Sequence, residues 1–271
     1  MKKKKELAQK ATSKLSLKLV TEFAKRWQTP LLTGLVVFTL TITSIIVSHQ
    51  NGVPQSQEET SAVEIVLPAD SVALPLPSYR SGNSVEAALK NRRLRLDYND
   101  SSLTLAQVSQ FLWAAQGVNV DWGDRTAPSA KSTYPLTIYL IANNVTGLDA
   151  GEYQYIPGDR VMLHQLKPIK KVDMGDALFD LLNQSSFRKI PAVLVIAGDM
   201  SKMAEAYGGI PHDKEVYLEA GYASQNVSLQ AESLKLGTTI STNFDELKLR
   251  ELITVSSSDT IILLMPIGLP R

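Results

Sequence analysis

The chain has 271 residues, 44% hydrophobic and 20% charged, with a formal net charge of +1; this suffices for one substantial domain plus an appendage and excludes a disordered or collagen-like chain. Charge is unevenly spread: residues 1–27 hold nine of the 28 Lys and Arg against Glu6 and Glu22, leaving nineteen positive and twenty-five negative groups in the remainder. A mildly acidic body argues against nucleic acid as a partner, because phosphate binding needs a basic face on the folded domain. With no cysteine, disulfide frameworks, zinc ribbons, iron–sulfur clusters, thiol nucleophiles and lipoprotein anchors are ruled out.

The first fifty residues explain the asymmetry. Lys2 to Lys5, Lys10, Lys14, Lys18, Lys25 and Arg26 make residues 1–26 a basic segment. From Trp27 to Val47 no residue is formally charged, and as a helix this stretch would reach about 31 Å, a bilayer's thickness. No Lys or Arg follows until Arg80, so the positive-inside rule predicts a transmembrane anchor at 27–48 with the N-terminus cytoplasmic and the domain outside. The rivals are a buried or peripheral helix and a cleaved signal peptide, the latter opposed by the long basic region, the long apolar stretch and the lack of a convincing A-x-A site. Residues 49–61 have almost no large apolar side chains and read as a flexible tether. Residues 62–83, with Pro68, Pro75 and Pro77 among apolar residues, suit an extended arm on a domain surface.

From residue 84, helices and strands alternate. Ser84 is placed to cap a helix through Val85, Ala88 and Leu89 to Arg92, and Thr104 with Gln107 forms a capping box before Leu105, Val108, Leu112 and Ala115. Gly117 ends that helix. Strands are predicted at 137–142, and at 153–156 and 161–164 around the Pro157-Gly158-Asp159-Arg160 turn. A short helix at 174–182 precedes the unbroken apolar run Ala192–Ala197, the pattern of a strand buried on both faces. Lys214 to Leu236 is the longest helix, expected to stop at Gly237; Thr238–Ser241, a helix at 245–252 and a strand at 260–265 complete an α+β domain, residues 62–271, whose central sheet is covered by helices.

Common catalytic signatures are absent: there is no G-x-S-x-G, P-loop or G-x-G-x-x-G after a strand. His49, His164 and His212 are too far apart for a local metal motif, and no metal is expected. His164 reads as an ordinary strand residue. Composition and spacing alone lead only to a membrane-anchored α+β domain.

Four ordered stretches add more: Ser84–Tyr98 with Arg92-Arg93-Leu94-Arg95-Leu96, followed by Leu103-Thr104-Leu105; Leu112–Gly117 leading to Arg125-Thr126-Ala127-Pro128-Ser129-Ala130 and Tyr134-Pro135-Leu136; Leu218-Glu219-Ala220-Gly221-Tyr222-Ala223-Ser224-Gln225-Asn226; and Leu236-Gly237-Thr238 with Phe244-Asp245, closing on Pro266-Ile267-Gly268. In this order they resemble the nitroreductase superfamily, specifically the branch of SagB-type dehydrogenases and oxidases, over about three quarters of the chain.

That resemblance implies a nitroreductase-like sandwich with a central, mainly antiparallel sheet, a homodimer, and two flavin mononucleotide (FMN) cofactors at the subunit interface. Members pass hydride between a reduced nicotinamide, or a ring of a peptide substrate, and the flavin. Carried over residue by residue, Arg92, Arg93 and Arg95 would hold the phosphate, and Pro128, Ser129, Ala130 and Lys131 would form the loop at the ribityl chain and ring. Arg92 and Arg95, if helical, would lie on one side and reach one dianion; the residues alone favour a solvated helix end next to Asp97 and Asp100. Leu94 and Leu96 replace the pattern's serine and second arginine, Lys131 its loop glycine, Thr242-Asn243 a glycine near the flavin ring, and Arg271 an arginine two places earlier. Lys131 and Arg271 are candidates to restore phosphate charge. The long helix repeats Val216, Ala220, Ala223, Val227, Ala231 and Leu234, a pattern that suits either close helix contact in a dimer or a monomer core. No catalytic residue is assigned. Three functions remain open: an FMN oxidoreductase whose reductant is not cytosolic NAD(P)H, a degenerate relative that binds a ligand or partner without redox turnover, and an anchored assembly factor using the dimer surface.

Overall fold

The structure, a computed structural model, describes residues 70–158 and 163–271, all within the unit Ile65–Arg271. The expected basic segment, anchor and tether, and residues 62–69, lie outside the described residues. Among the described residues no helix is long and apolar enough to cross a membrane.

Nine strands and six α-helices are described: β1 (Val72–Ala73), α1 (Val85–Asn91), β2 (Leu103–Thr104), α2 (Leu105–Gln116), β3 (Leu136–Ala142), β4 (Val145–Thr146), β5 (Gly151–Ile156), β6 (Gln165–Lys170), α3 (Gly175–Leu182), β7 (Ala192–Asp199), α4 (Met200–Ala206), α5 (Asp213–Leu234), β8 (Gly237–Thr238), α6 (Glu246–Leu252) and β9 (Asp259–Gly268). Seven strands form one sheet, ordered β1-β6-β5-β3-β7-β9-β8, and every neighbouring pair in it is antiparallel. A separate parallel pair joins β2 to β4.

The apolar run of β7 is central and buried on both faces, as its lack of alternation predicts. Leu194 and Ile196 pack with Leu136, Ile138 and Leu140 of β3 against α2 and α5. Val193 and Val195 pack on the other face with Tyr139 and Ile141 against α3 and α6. The α+β architecture is therefore a sheet with a core on each side. The extended arm is held to this sheet: β1 pairs with Gln165 and Leu166 of β6, Leu74 is buried, and the Ser78 amide donates to Gln110 Oε1 at 2.8 Å.

Four local expectations are corrected. The hairpin's described return strand is Gln165–Lys170; of the expected 161–164, Val161 and Met162 lie outside the described residues, and Leu163 and His164 precede the strand. Pro168 masked it as a breaker, but Pro168 pairs with Tyr153 at a register shift, where a missing N–H is tolerated. The helix α4 went unforeseen because β7 runs on to Asp199, whose side chain caps it by accepting from the Lys202 amide. The longest helix stops at Lys235, in a left-handed conformation with φ 57°, and Gly237 already belongs to β8. Finally, α1 ends at Asn91, and Arg92 leaves it with ψ 124°.

Candidate functional site

The end of α1 carries the arginines. Ser84 caps the helix by accepting from the Ala87 amide at 3.2 Å. Beyond Arg92 the chain runs extended, because its backbone finds partners elsewhere: the Arg95 amide donates to Thr238 O and Tyr98 bridges to Pro270. Arg92 and Arg95 are thus not on one helix face, contrary to the helical reading. Arg93 is exposed, and its guanidinium donates to the Lys90 and Arg92 carbonyls, both at 2.9 Å, satisfying acceptors that a helix end leaves open.

Arg95 is differently placed. Its stem lies on Gly237, where a Cβ would meet Arg95 Cβ at 2.8 Å and Pro270 Cγ at 2.9 Å. Its Nε is buried with no partner, and its guanidinium lies 3.9 Å from Glu232. It faces a cleft of about 590 Å³ lined also by Asn83, Asn91, Lys235 and Pro270. Leu94 and Leu96, 65% and 55% exposed, turn to solvent. Arg271 does not supply the cleft: it pairs with Asp97 at 3.7 Å and Asp100 at 3.9 Å, exposed contacts each worth roughly 0–1 kcal/mol.

The second group is the loop before β3. Pro128 is exposed, and Ser129 Oγ accepts from the Tyr134 amide at 2.8 Å. Ala130–Ser132 forms a 3₁₀ turn. Lys131, Ser132 and Tyr134 all have positive φ, at 53°, 52° and 47°, a conformation costing a non-glycine residue roughly 1–2 kcal/mol. Lys131 therefore adopts the backbone that glycine would take at its position. Its ammonium is committed to other partners, donating to Ala206 O at 2.8 Å and lying 3.9 Å over the Tyr207 ring. It does not stand ready to compensate a phosphate near the arginines.

Behind this loop lies a polar chain that spacing did not single out. Glu219 of α5, 1% exposed, accepts from Gln116 Nε2 at 2.9 Å; Gln116 Oε1 accepts from Arg125 Nη1 at 3.1 Å; and the Arg125 guanidinium stacks 4.6 Å from the Tyr134 ring centroid. Burial pushes the Glu219 carboxyl up, opposed by the Ser129 hydroxyl, the Gln116 amide and the charges of Arg125 and Lys202. Arg125 also edges a cavity of about 600 Å³ with Tyr134, Gln154, Asp199 and Lys202. The signal for Glu219 was a carboxylate within the apolar stripe Val216, Ala220 and Ala223.

Thr242 and Asn243 are exposed; the Asn243 carbonyl accepts from Gln184 Nε2 at 2.8 Å. The arginine end and the 128–131 loop are not brought together within one protomer. Arg93 N and Arg95 contact Glu232 near the end of α5, whereas the loop is tied to Glu219 near its start, about thirteen residues or roughly 20 Å along the helix.

Comparison with known proteins places this architecture. The model of the Nitroreductase family matches residues 89–269. A Methanocaldococcus jannaschii protein classed as a nitroreductase is 35% identical over 200 residues, covering 73% of this chain and 97% of that protein. A nitroreductase structure from Ralstonia eutropha superposes with a TM-score of 0.63 at 24% identity, covering 76% of this chain and 93% of its own. One from Anabaena variabilis superposes with a TM-score of 0.59 at 25% identity over 69% of this chain; there this chain spans only 38% of the relative's length.

Proposed function

This chain belongs to the nitroreductase family and is a nitroreductase-family oxidoreductase, and from that premise we propose that it works through bound FMN at a site shared between two protomers. The observation that carries the reading is Arg95: its side chain, 40% exposed, lines a cleft with Asn83, Asn91 and Lys235 and carries an Nε–H without a partner, an arrangement that suits an anionic group. Arg92, Arg93 and Lys235 stand around the same chain end, so the residues fit a phosphate, although Glu232 competes for Arg95. The loop Pro128–Lys131 offers Ser129 and backbone groups to a ribityl chain. Because that loop lies at the other end of α5 within the protomer, a second protomer bringing its own loop to the arginine end would complete one site.

The face of α5 left outside the core supports such an assembly. Val216, Ala220, Ala223, Val227 and Ala231 are buried within the protomer, so the stripe serves the core. Tyr217, Leu218 and Tyr222 remain about half exposed at 52%, 47% and 48% and offer apolar area to a partner helix.

Arg95 and the loop Pro128–Lys131 would hold the flavin, which when bound would supply acceptance and return of hydride. Membership of the SagB-type branch, the anchor at 27–48 and an extracytoplasmic domain belong to the same proposal and rest on the motifs and the N-terminal charge pattern. On the outer side cytosolic NAD(P)H cannot reach the site, so another reductant serves, and the substrate is a small molecule or a peptide.

The test is FMN binding by the purified full-length chain in detergent, read by its oxidised-flavin spectrum and by fluorescence quenching. Arg95→Ala should weaken FMN roughly ten- to hundred-fold, the loss expected for one charge-assisted contact of about 1.5–3 kcal/mol. Leu94→Ser with Leu96→Arg should tighten it. A wild-type chain that binds no FMN beside a double mutant that does would overturn the proposal in favour of a non-catalytic relative.

A further inference from the structure

Three non-glycine residues within four positions, Lys131, Ser132 and Tyr134, hold left-handed backbone. Such a segment persists only where its surroundings over-determine it. Two sets of contacts do so. On the outer side Lys131 is fastened to Ala206 O and to the Tyr207 ring. On the inner side the polar chain from α5 reaches the loop: Glu219 to Gln116, Gln116 to Arg125, and Arg125 onto the Tyr134 ring. The Arg125 amide also donates to Tyr134 Oη at 3.3 Å, and Ser129 closes the loop on itself through the Tyr134 amide.

Glu219 is the anomaly in this chain. It is almost wholly buried on a face of α5 otherwise made of Val216, Ala220 and Ala223, and its second carboxyl oxygen, Oε2, has no hydrogen-bond partner. For packing alone an apolar residue would serve better, since a buried carboxyl with an unmatched oxygen is costly. A cost of that kind is retained where the group orders something else. The groups acting on the carboxyl besides Gln116 are the Ser129 hydroxyl, Arg125 and Lys202, which belong to the loop, to its entry, and to the helix that Lys131 grips.

We infer that Glu219 is a positioning residue: acting through Gln116 and Arg125, it holds the left-handed loop 129–134 in the shape that meets a flavin. The inference rests on the FMN reading for what the loop meets, and on this chain's own geometry for how the loop is held.

The loop's shape can be read without any cofactor. The amides of Ser132, Thr133 and Tyr134 donate to Ser129 O, Ala130 O and Ser129 Oγ, so their hydrogen exchange in the full-length chain reports the turn directly. In Glu219→Ala, exchange of the peptide covering 129–135 should quicken at least tenfold while β7 stays protected. Glu219→Gln, which keeps the shape and the contact to Gln116, should restore most of the protection. In FMN-loaded protein the alanine variant should also shift the flavin absorption band and midpoint potential, with the glutamine variant close to wild type; a purely structural role would not move these while β7 stays protected. If Glu219→Ala does not fold, Arg125→Ala, a half-buried position in the same chain, is read the same way. Unchanged loop exchange in a folded alanine variant, or equal damage in the glutamine and alanine variants, overturns the inference. If the wild type binds no FMN but its loop responds as stated, the flavin reading fails and the positioning role stands.

Discussion

His164 shows how much a single residue gains from its surroundings. Alone in sequence it read as an ordinary strand residue, but it precedes β6, is 3% exposed, and joins three elements. Its Nδ1 lies 3.0 Å from Tyr155 Oη and its Nε2 2.9 Å from Pro75 O; Ser109 Oγ, which donates to the same carbonyl, lies 3.1 Å from Nε2. A neutral ring satisfies all of them: Nε2–H donates towards Pro75 and Ser109, and Nδ1 accepts from the tyrosine. Burial pushes its pKa below 6.5 despite the Pro75 contact. A base whose folded-state pKa is depressed contributes stability that is fully present above the unfolded-state value and is lost as pH falls through the folded one. Between about pH 7.5 and about pH 5.5 the wild type should therefore lose more urea stability than His164→Asn. Glu152 and Glu219, both raised by burial, change stability in the opposite sense, but equally in both proteins. An equal loss in the two would show that His164 takes up its proton as readily in the folded chain as in the unfolded one, and so is not held neutral against the arm.

Helix starts were legible because capping is local chemistry. The Thr104 box is formed as spaced, with the Gln107 amide donating to Thr104 Oγ1 at 3.2 Å and the Thr104 amide to Gln107 Oε1 at 2.8 Å. Thr104→Ala should lower the stability of the full chain by about 1 kcal/mol, measured by urea unfolding, with no change in FMN affinity. Helix and turn ends were less legible because non-glycine residues took the left-handed positions: Lys235 closes α5, and Lys131 bends the loop before β3. A lysine there carries no sequence signal for φ, and it holds because tertiary contacts outweigh roughly 1–2 kcal/mol of strain. Pro168 is the converse case, a residue that argues against a strand yet sits within one at a register shift.

For the molecule as a whole, the reading depends on assembly. The proposed site shared by two protomers rests on the exposed Tyr217, Leu218 and Tyr222 of α5 and on the separation of the arginine end from the loop. Light scattering on the full chain in detergent, corrected for bound detergent, should give twice the monomer mass, and Tyr222→Arg should halve it and release FMN. A monomeric wild type with full flavin occupancy would refute the shared site. A reporter fused after Arg271 should likewise behave as extracytoplasmic; cytoplasmic activity would overturn the orientation and restore NAD(P)H as a candidate reductant.

Periodicity and capping by themselves determined the helices at α1, α2, α5 and α6, the buried strand β7 and the α+β class, because hydrophobic repeats and orphan amides are properties of neighbouring residues. Ordered motifs determined the family. What only the tertiary structure decided concerns residues whose partners are distant in sequence. The Arg95 stem packs on Gly237, Arg271 turns away to Asp97 and Asp100, Lys131 is committed to Ala206 and Tyr207, and Glu219 lies buried behind the loop. Charge and residue type name a candidate ligand, but whether a guanidinium, an ammonium or a carboxyl is free depends on which other groups folding sets within about 3–4 Å of it.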